Sequence, residues 1–209
     1  MLSTKYKAAL EHFLQPLAMV LVRMGISPTA ITVTCPVVVS LLCVMFVRSQ
    51  AILPFSVGVL IVGSLDGLDG VVARVSGRVS QTGAYLDAMA DRYVEAIVAL
   101  SVAHVTGYWL WTMIVLIGSL LVSYAKARTA MEVRISNQEW PDLMERTERD
   151  VLFLLGLAAS AIVPWRPLGH DLFWWTLVLL SIFICLTLIQ RMRRAHQFIL
   201  ERGARGFPR

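Results

Sequence analysis

Apolar residues fill long stretches of this chain, and polar ones gather in the short intervals between them. A helix needs about 20 mostly apolar residues to cross a bilayer. Six windows come close to or exceed that length: residues 28–47, 52–75, 82–105, 107–131, 147–163 and 172–200. The last is apolar to Ile189 and then turns basic, so its tail is expected to leave the bilayer. Before the first window, Leu10, Phe13, Leu14, Leu17, Val20, Leu21 and Met24 recur at helical spacing, with Lys5, Lys7, Glu11, His12 and Arg23 in other positions. This pattern predicts an amphipathic helix over residues 1–25, lying in the interface. Ser27 and Pro28 then read as the N-cap and first residue of the next helix. The expected fold class is all-α integral membrane: six transmembrane helices in one domain, residues 26–209, preceded by an N-terminal amphipathic interfacial helix.

Composition supports this. Of 209 residues 57% are hydrophobic and 16% charged, too apolar for an ordinary soluble domain. The net charge of +5 could suggest nucleic acid, but its distribution argues otherwise. Of the 19 lysines and arginines, only Arg48 and Arg166 fall in the connections between windows 1–2, 3–4 and 5–6. That is the positive-inside bias of a multi-pass protein of the cell membrane, and it puts both termini and the 2–3 turn in the cytoplasm. The first apolar run follows a long mixed-polarity segment, so no cleavable signal peptide is expected. Cys35, Cys43 and Cys185 lie in apolar runs without CxxC spacing and read as core thiols.

One stretch breaks the apolar pattern with a pattern of its own. Asp66 and Asp69 are three apart; Asp87 and Asp91 are four apart. Either spacing returns a helix to nearly the same face, so each pair can aim two carboxylates one way. A short polar turn joins the two helices and can bring the pairs together. A charged aspartate at mid-bilayer costs about 2.5–3.5 kcal/mol on the lenient insertion scale, so four demand compensation. Arg74, Arg78 and Arg92 are close enough in sequence to pair with them. The alternative is a pair of hard divalent cations, which take carboxylate oxygens and serve phosphoryl chemistry. Gly70, Ala73 and Gly83 fall on the carboxylate faces. Such small residues admit either a close ligand or a close helix. Arg74, beside them, has the fork to grip a phosphate.

Asp66-x-x-Asp69-Gly70-x-x-Ala73-Arg74, eight residues, then Gly83-x-x-x-Asp87-x-x-x-Asp91 resembles the signature of the CDP-alcohol phosphotransferases. The stretch from Ser27 to Thr32 also resembles that family's opening of the first span. The resemblance implies an enzyme that displaces CMP from a CDP-linked lipid with an acceptor hydroxyl. It implies two Mg2+ or Mn2+ ions on Asp66, Asp69, Asp87 and Asp91, with Asp91 as the base. It implies contacts to the CDP-lipid from Ser27, Pro28, Thr29, Ala30, Gly70, Ala73, Arg74, Ser80 and Gly83. A homodimer is implied as well, and no nucleic acid.

A second constellation bears on the acceptor. Ser123-Tyr-Ala-Lys126-Ala-Arg128, Glu145-Arg146-Thr-Glu148-Arg149 and Gln190-Arg191 all fall at cytoplasmic helix ends. Basic residues there either mark topology or form a pocket for an anion. These stretches are similar to those of the family's phosphatidylinositol phosphate synthases. By that resemblance Ser123, Lys126, Arg146, Arg149 and Arg191 hold a small phosphorylated polyol, inositol 1-phosphate. Glycerol 3-phosphate is the rival acceptor. A carboxylate-lined cation transporter is the rival class, though it would spread acids through the membrane's depth.

Overall fold

The computed structural model describes residues 14–65, 67–133 and 143–203, all-helical with no strand among them. Asp66, residues 1–13 of the expected N-terminal helix, and most of the 132–146 connection lie outside the described residues. The helices are α1 (Leu14–Arg23), α2 (Pro28–Ser49), α3 (Ile52–Leu65), α4 (Leu68–Val75), α5 (Gln81–Thr106), α6 (Trp109–Glu132), α7 (Arg146–Ile162) and α8 (Leu172–Gly203). Four stretches are long and apolar enough to cross a membrane: Pro28–Ser49, Ile52–Val75, Trp109–Glu132 and Leu172–Glu201. The other two expected spans are helical but differ in kind. Within its first 15 residues α5 carries Asp87, Asp91, Arg92 and Glu95, and α7 has only 17 residues. The expected second helix is described as two, α3 and α4, on either side of residue 66.

The chain divides into two compact units, Met1–Ser101 and Val102–Arg209. In the first, α2 is the hub. It packs on α3 and α4. Phe46 near its end stacks on Phe55 of α3, ring centroids 4.0 Å apart. Side chains also bridge it to α5: Ser40 Oγ lies 3.1 Å from Tyr93 Oη, and the Cys43 thiol points at the Ile97 carbonyl, 3.7 Å away. Ser27 caps α2 as expected, its hydroxyl accepting from Ala30 N at 3.2 Å, with Pro28 at the first helical position. The described part of α1 is packed into the unit. Leu14 and Ala18, one turn apart, are buried against Leu68, Val71 and Val72 of α4.

In the second unit, α8 is the hub, and both α6 and α7 pack on it. Phe173, Leu177, Leu180 and Ile184 are almost wholly buried at steps of four, three and four, one stripe of the helix. Cys185 lies off that stripe and is exposed, which corrects the core assignment; Cys43 is buried and Cys35 half-buried. At the start of α8, Asp171 accepts from Trp174 N at 2.9 Å as an N-cap and from Tyr108 Oη at 3.1 Å. Burial, and then the Asp171 carboxylate, push the Tyr108 hydroxyl above the usual tyrosine pKa. His170 stacks on Trp174 and Trp111 meets it edge-on, an aromatic cluster of the kind that marks a membrane boundary.

Candidate functional site

The acidic stretch is built by two helix ends. Leu68, Val71 and Val72 anchor α4 on α1 through one apolar face. The helix ends at Val75 and is stopped by Gly77. Arg78 N bonds the Ala73 carbonyl at 2.9 Å and Gly77 N the Arg74 carbonyl at 3.3 Å, with Gly77 at φ 67°. This is a Schellman stop, and the left-handed residue in it costs glycine little. Three residues later Ser80 starts α5, its hydroxyl accepting from Gly83 N at 3.0 Å. The turn between the acid-bearing helices is thereby fixed at both ends by local hydrogen bonds.

Asp69, the second residue of α4, is buried, with 8% of its surface exposed. Burying a carboxylate is costly unless it is bonded. One oxygen, Oδ2, accepts from Thr32 Oγ1 at 2.5 Å; the other, Oδ1, accepts from Gly70 N at 2.5 Å. Thr32 stands one turn into α2, so the start of α2 and the start of α4 are tied through this carboxylate. The link joins residues 37 apart in sequence.

Asp87 and Asp91 are both half-buried on α5. Arg92 reaches Asp91 at 3.9 Å but Glu95 at 3.2 Å, so its shorter contact is with the glutamate. Arg74 folds back along α4, its Nη1 3.5 Å from where a Cβ on Gly70 would stand. The Ser40–Tyr93 and Cys43–Ile97 contacts climb together, so α2 and α5 run parallel there. At about 1.5 Å per residue, Thr32 lies about 12 Å below Ser40 and Asp87 about 9 Å below Tyr93. Asp69, held at Thr32, and Asp87 therefore sit within about one helical turn of each other along the axis.

Among the described residues no three His, Cys, Asp or Glu side chains gather closely enough to hold a metal ion. Asp66, the fourth acid of the motif, lies outside the described residues. The donor chemistry itself fits a hard divalent cation: the acids are carboxylates only, and each Asp69 oxygen uses one hydrogen bond and keeps a lone pair.

In the second unit, Arg149 and Arg191 are buried, 3% and 7% exposed. Arg149 Nε donates to Ser119 Oγ at 2.8 Å and its Nη1 to the Met144 carbonyl at 3.0 Å. Arg191 Nη1 donates to the Val122 carbonyl. Ser123 donates to the Ser119 carbonyl at 3.1 Å, and Arg146 pairs with Asp150 at 3.3 Å. Of the residues expected at the acceptor site, Ser123, Arg149 and Arg191 thus converge on one turn of α6, Ser119 to Ser123. Lys126 lies one turn further along α6, half-buried. Glu148 acts locally. Its carboxylate accepts from Glu145 N at 2.9 Å, a capping-box bond that starts α7. Gln190 Oε1 accepts from Leu143 N at 3.1 Å and holds the chain just before it.

Of the nine residues expected at the CDP-lipid, Ser27 and Ser80 serve as helix caps, and Thr29, Ala30 and Arg74 are exposed. Pro28, Gly70, Ala73 and Gly83 are half-buried. Sequence reasoning missed Thr32 and Ser119. Thr32 lay within the Ser27–Thr32 stretch, but nothing in its spacing pointed to Asp69.

Comparison with known proteins follows the same residues. The CDP-alcohol phosphatidyltransferase family model matches residues 25–187. An archaetidylinositol phosphate synthase of Pyrococcus horikoshii is 30% identical over 162 residues, 76% of this chain and 84% of that protein. A phosphatidylinositol phosphate synthase of Mycobacterium tuberculosis is 28% identical over 204 residues, 89% of this chain and 87% of that protein. The crystal structure of the M. tuberculosis phosphatidylinositol phosphate synthase with CDP-DAG bound superposes with a TM-score of 0.77 at 26% identity, over 88% of this chain and 94% of that one. Another structure of it, with manganese and citrate, gives 0.76 at 26% identity, over 87% and 88%. With the match running from the turn before α2 into α8, and so through both units, the chain belongs to the CDP-alcohol phosphatidyltransferase family and is a transferase of substituted phosphate groups.

Proposed function

We propose that this enzyme transfers the phosphatidyl group of a CDP-linked lipid to the hydroxyl of inositol 1-phosphate and releases CMP. The observation that carries the reading is the full acid motif inside a family match spanning residues 25–187, with Asp69 buried and pre-bonded in it. Asp66, Asp69, Asp87 and Asp91 hold two divalent cations, Mg2+ or Mn2+. When bound, such ions neutralise charge on the diphosphate and on the departing CMP. Arg74 and the small residues Gly70, Ala73 and Gly83 take the CDP portion, together with Ser80 and the Ser27–Ala30 start of α2. Asp91 removes the proton from the acceptor hydroxyl. That oxygen bonds to the lipid-side phosphorus as the bond to the bridging oxygen breaks, and CMP leaves with the bridging oxygen.

Ser123, Lys126, Arg146, Arg149 and Arg191 recognise the acceptor's phosphate. Two relatives named for inositol phosphate lipids support that choice. The domain, residues 26–209, crosses the cell membrane six times after the juxtamembrane helix 1–25 and works as a homodimer. The charge bias supports a cytoplasmic side for the acids and both termini. A lipid diphosphate suits that place, since its tails stay in the bilayer while its head reaches water.

The test is an acceptor panel. Purified enzyme is given one CDP-lipid and, in turn, inositol 1-phosphate, free inositol, glycerol 3-phosphate or serine. CMP release should rise above background only with inositol 1-phosphate, vanish with EDTA and return with Mg2+ or Mn2+. Turnover with glycerol 3-phosphate alone would overturn the acceptor assignment. Inactivity with every acceptor, joined to cation flux in vesicles, would overturn the reaction.

A further inference from the structure

We propose that Thr32 is the positioning residue for Asp69, so that the start of α2 sets the affinity of the cation site. The inference rests on the reading of Asp69 as a ligand given above.

Hydroxyls inside a helix ordinarily donate to the carbonyl four residues back. The neighbours of Thr32 do so: Thr34 bonds the Ala30 carbonyl and Ser40 the Pro36 carbonyl, both at 2.7 Å. Thr32 departs from that habit. Its contact with the Pro28 carbonyl is stretched to 3.2 Å, while Asp69 Oδ2 stands at 2.5 Å. A hydroxyl has one proton to give, and the shorter contact, with a carboxylate, takes it.

The consequence is geometric. Gly70 N holds one Asp69 oxygen from within α4; Thr32 holds the other from α2. With both oxygens fixed, the carboxylate cannot swing, and the direction of its remaining lone pairs is set before any ion arrives. Both partners are buried, each 8% exposed, so water does not easily replace the bond. Pro36, one turn above, has no N–H to give the Thr32 carbonyl, which loosens the helix there. The side-chain link to α4 then steadies the turn that also carries Ser27 to Ala30. Outer hydrogen bonds of this kind typically change metal affinity by about 10–100-fold when removed.

The test measures Mn2+ binding by the free-ion EPR signal in purified wild type, Asp69→Asn, Thr32→Val, Thr32→Ala and Thr32→Ser, with melting curves in EDTA. Thr32→Val and Thr32→Ala should each weaken Mn2+ binding about tenfold or more, while Thr32→Ser, which keeps the hydroxyl, stays within about twofold of wild type. Two variants guard against one that misfolds. A purely structural Thr32 would lower the melting midpoint in EDTA and leave Mn2+ affinity unchanged in both; that overturns the inference. The reading of Asp69 fails separately: if Asp69→Asn binds Mn2+ like wild type, Asp69 is no ligand, whatever Thr32 does.

Discussion

Replacing Asp91 by asparagine should leave a folded protein that releases CMP about 10²–10⁴-fold more slowly, the usual contribution of a positioned base. Asparagine keeps the size and shape of the side chain and removes its charge and basicity. The salt bridge from Asp91 to Arg92 is long, 3.9 Å, and Arg92 has Glu95 at 3.2 Å. Partly exposed pairs of this sort contribute about 0–1 kcal/mol. The melting midpoint should therefore move by only a few degrees while turnover collapses. Side-by-side melting curves and initial rates separate the two effects, and a near-native rate would refute the assignment of the base.

The second large effect is structural and lies in the other unit. A Cβ added at Gly156 of α7 would stand 2.4 Å from both Thr176 Cγ2 and Thr176 Oγ1 of α8, and 2.7 Å from Thr176 Cβ. Threonine is stiff about χ1, and this hydroxyl is held on the Leu172 carbonyl at 2.9 Å. The side chain has no easy escape, so the helices must part. Overpacking of this kind costs about 1–3 kcal/mol, against about 1 kcal/mol gained in helix propensity. Gly156→Ala should therefore lower stability by up to about 2 kcal/mol, and Gly156→Leu by more again. Gly156 lies seven residues after Arg149, on the same face of α7. Moving α7 disturbs the Arg149–Ser119 bond, so the KM for the acceptor should rise as well. Thr176→Ala should partly rescue Gly156→Ala by removing the two closest atoms. A Gly156→Leu protein that melts like wild type would show that α7 and α8 do not meet there.

Much of this was legible in the chain. Long apolar runs located the helices because a membrane requires each backbone polar group to be bonded within its own segment. The roles of Ser27 and Pro28 at the start of α2 were readable because capping depends on residues three or four apart. What spacing cannot encode is contact between distant helices. The Thr32–Asp69 bond joins α2 to α4 and has no local signature. Neither has the close approach of Gly156 to Thr176. The run 52–75, read as one window, matches the apolar stretch Ile52–Val75 in its bounds. Glu145 and Glu148 were read with an acceptor motif, yet the described bond between them starts a helix. A capping box and a charged ligand stretch use the same residue types, and only the backbone geometry tells them apart.

An anomalous difference map at the manganese edge, from crystals grown with Mn2+, tests the core of this account. Peaks should lie within coordination distance of Asp69 and of Asp87 or Asp91, bridging the helix before the Gly77 turn and the one after it. Density confined to other acids, or an Asp69 carboxylate turned away from α5 with no ion beside it, would contradict it.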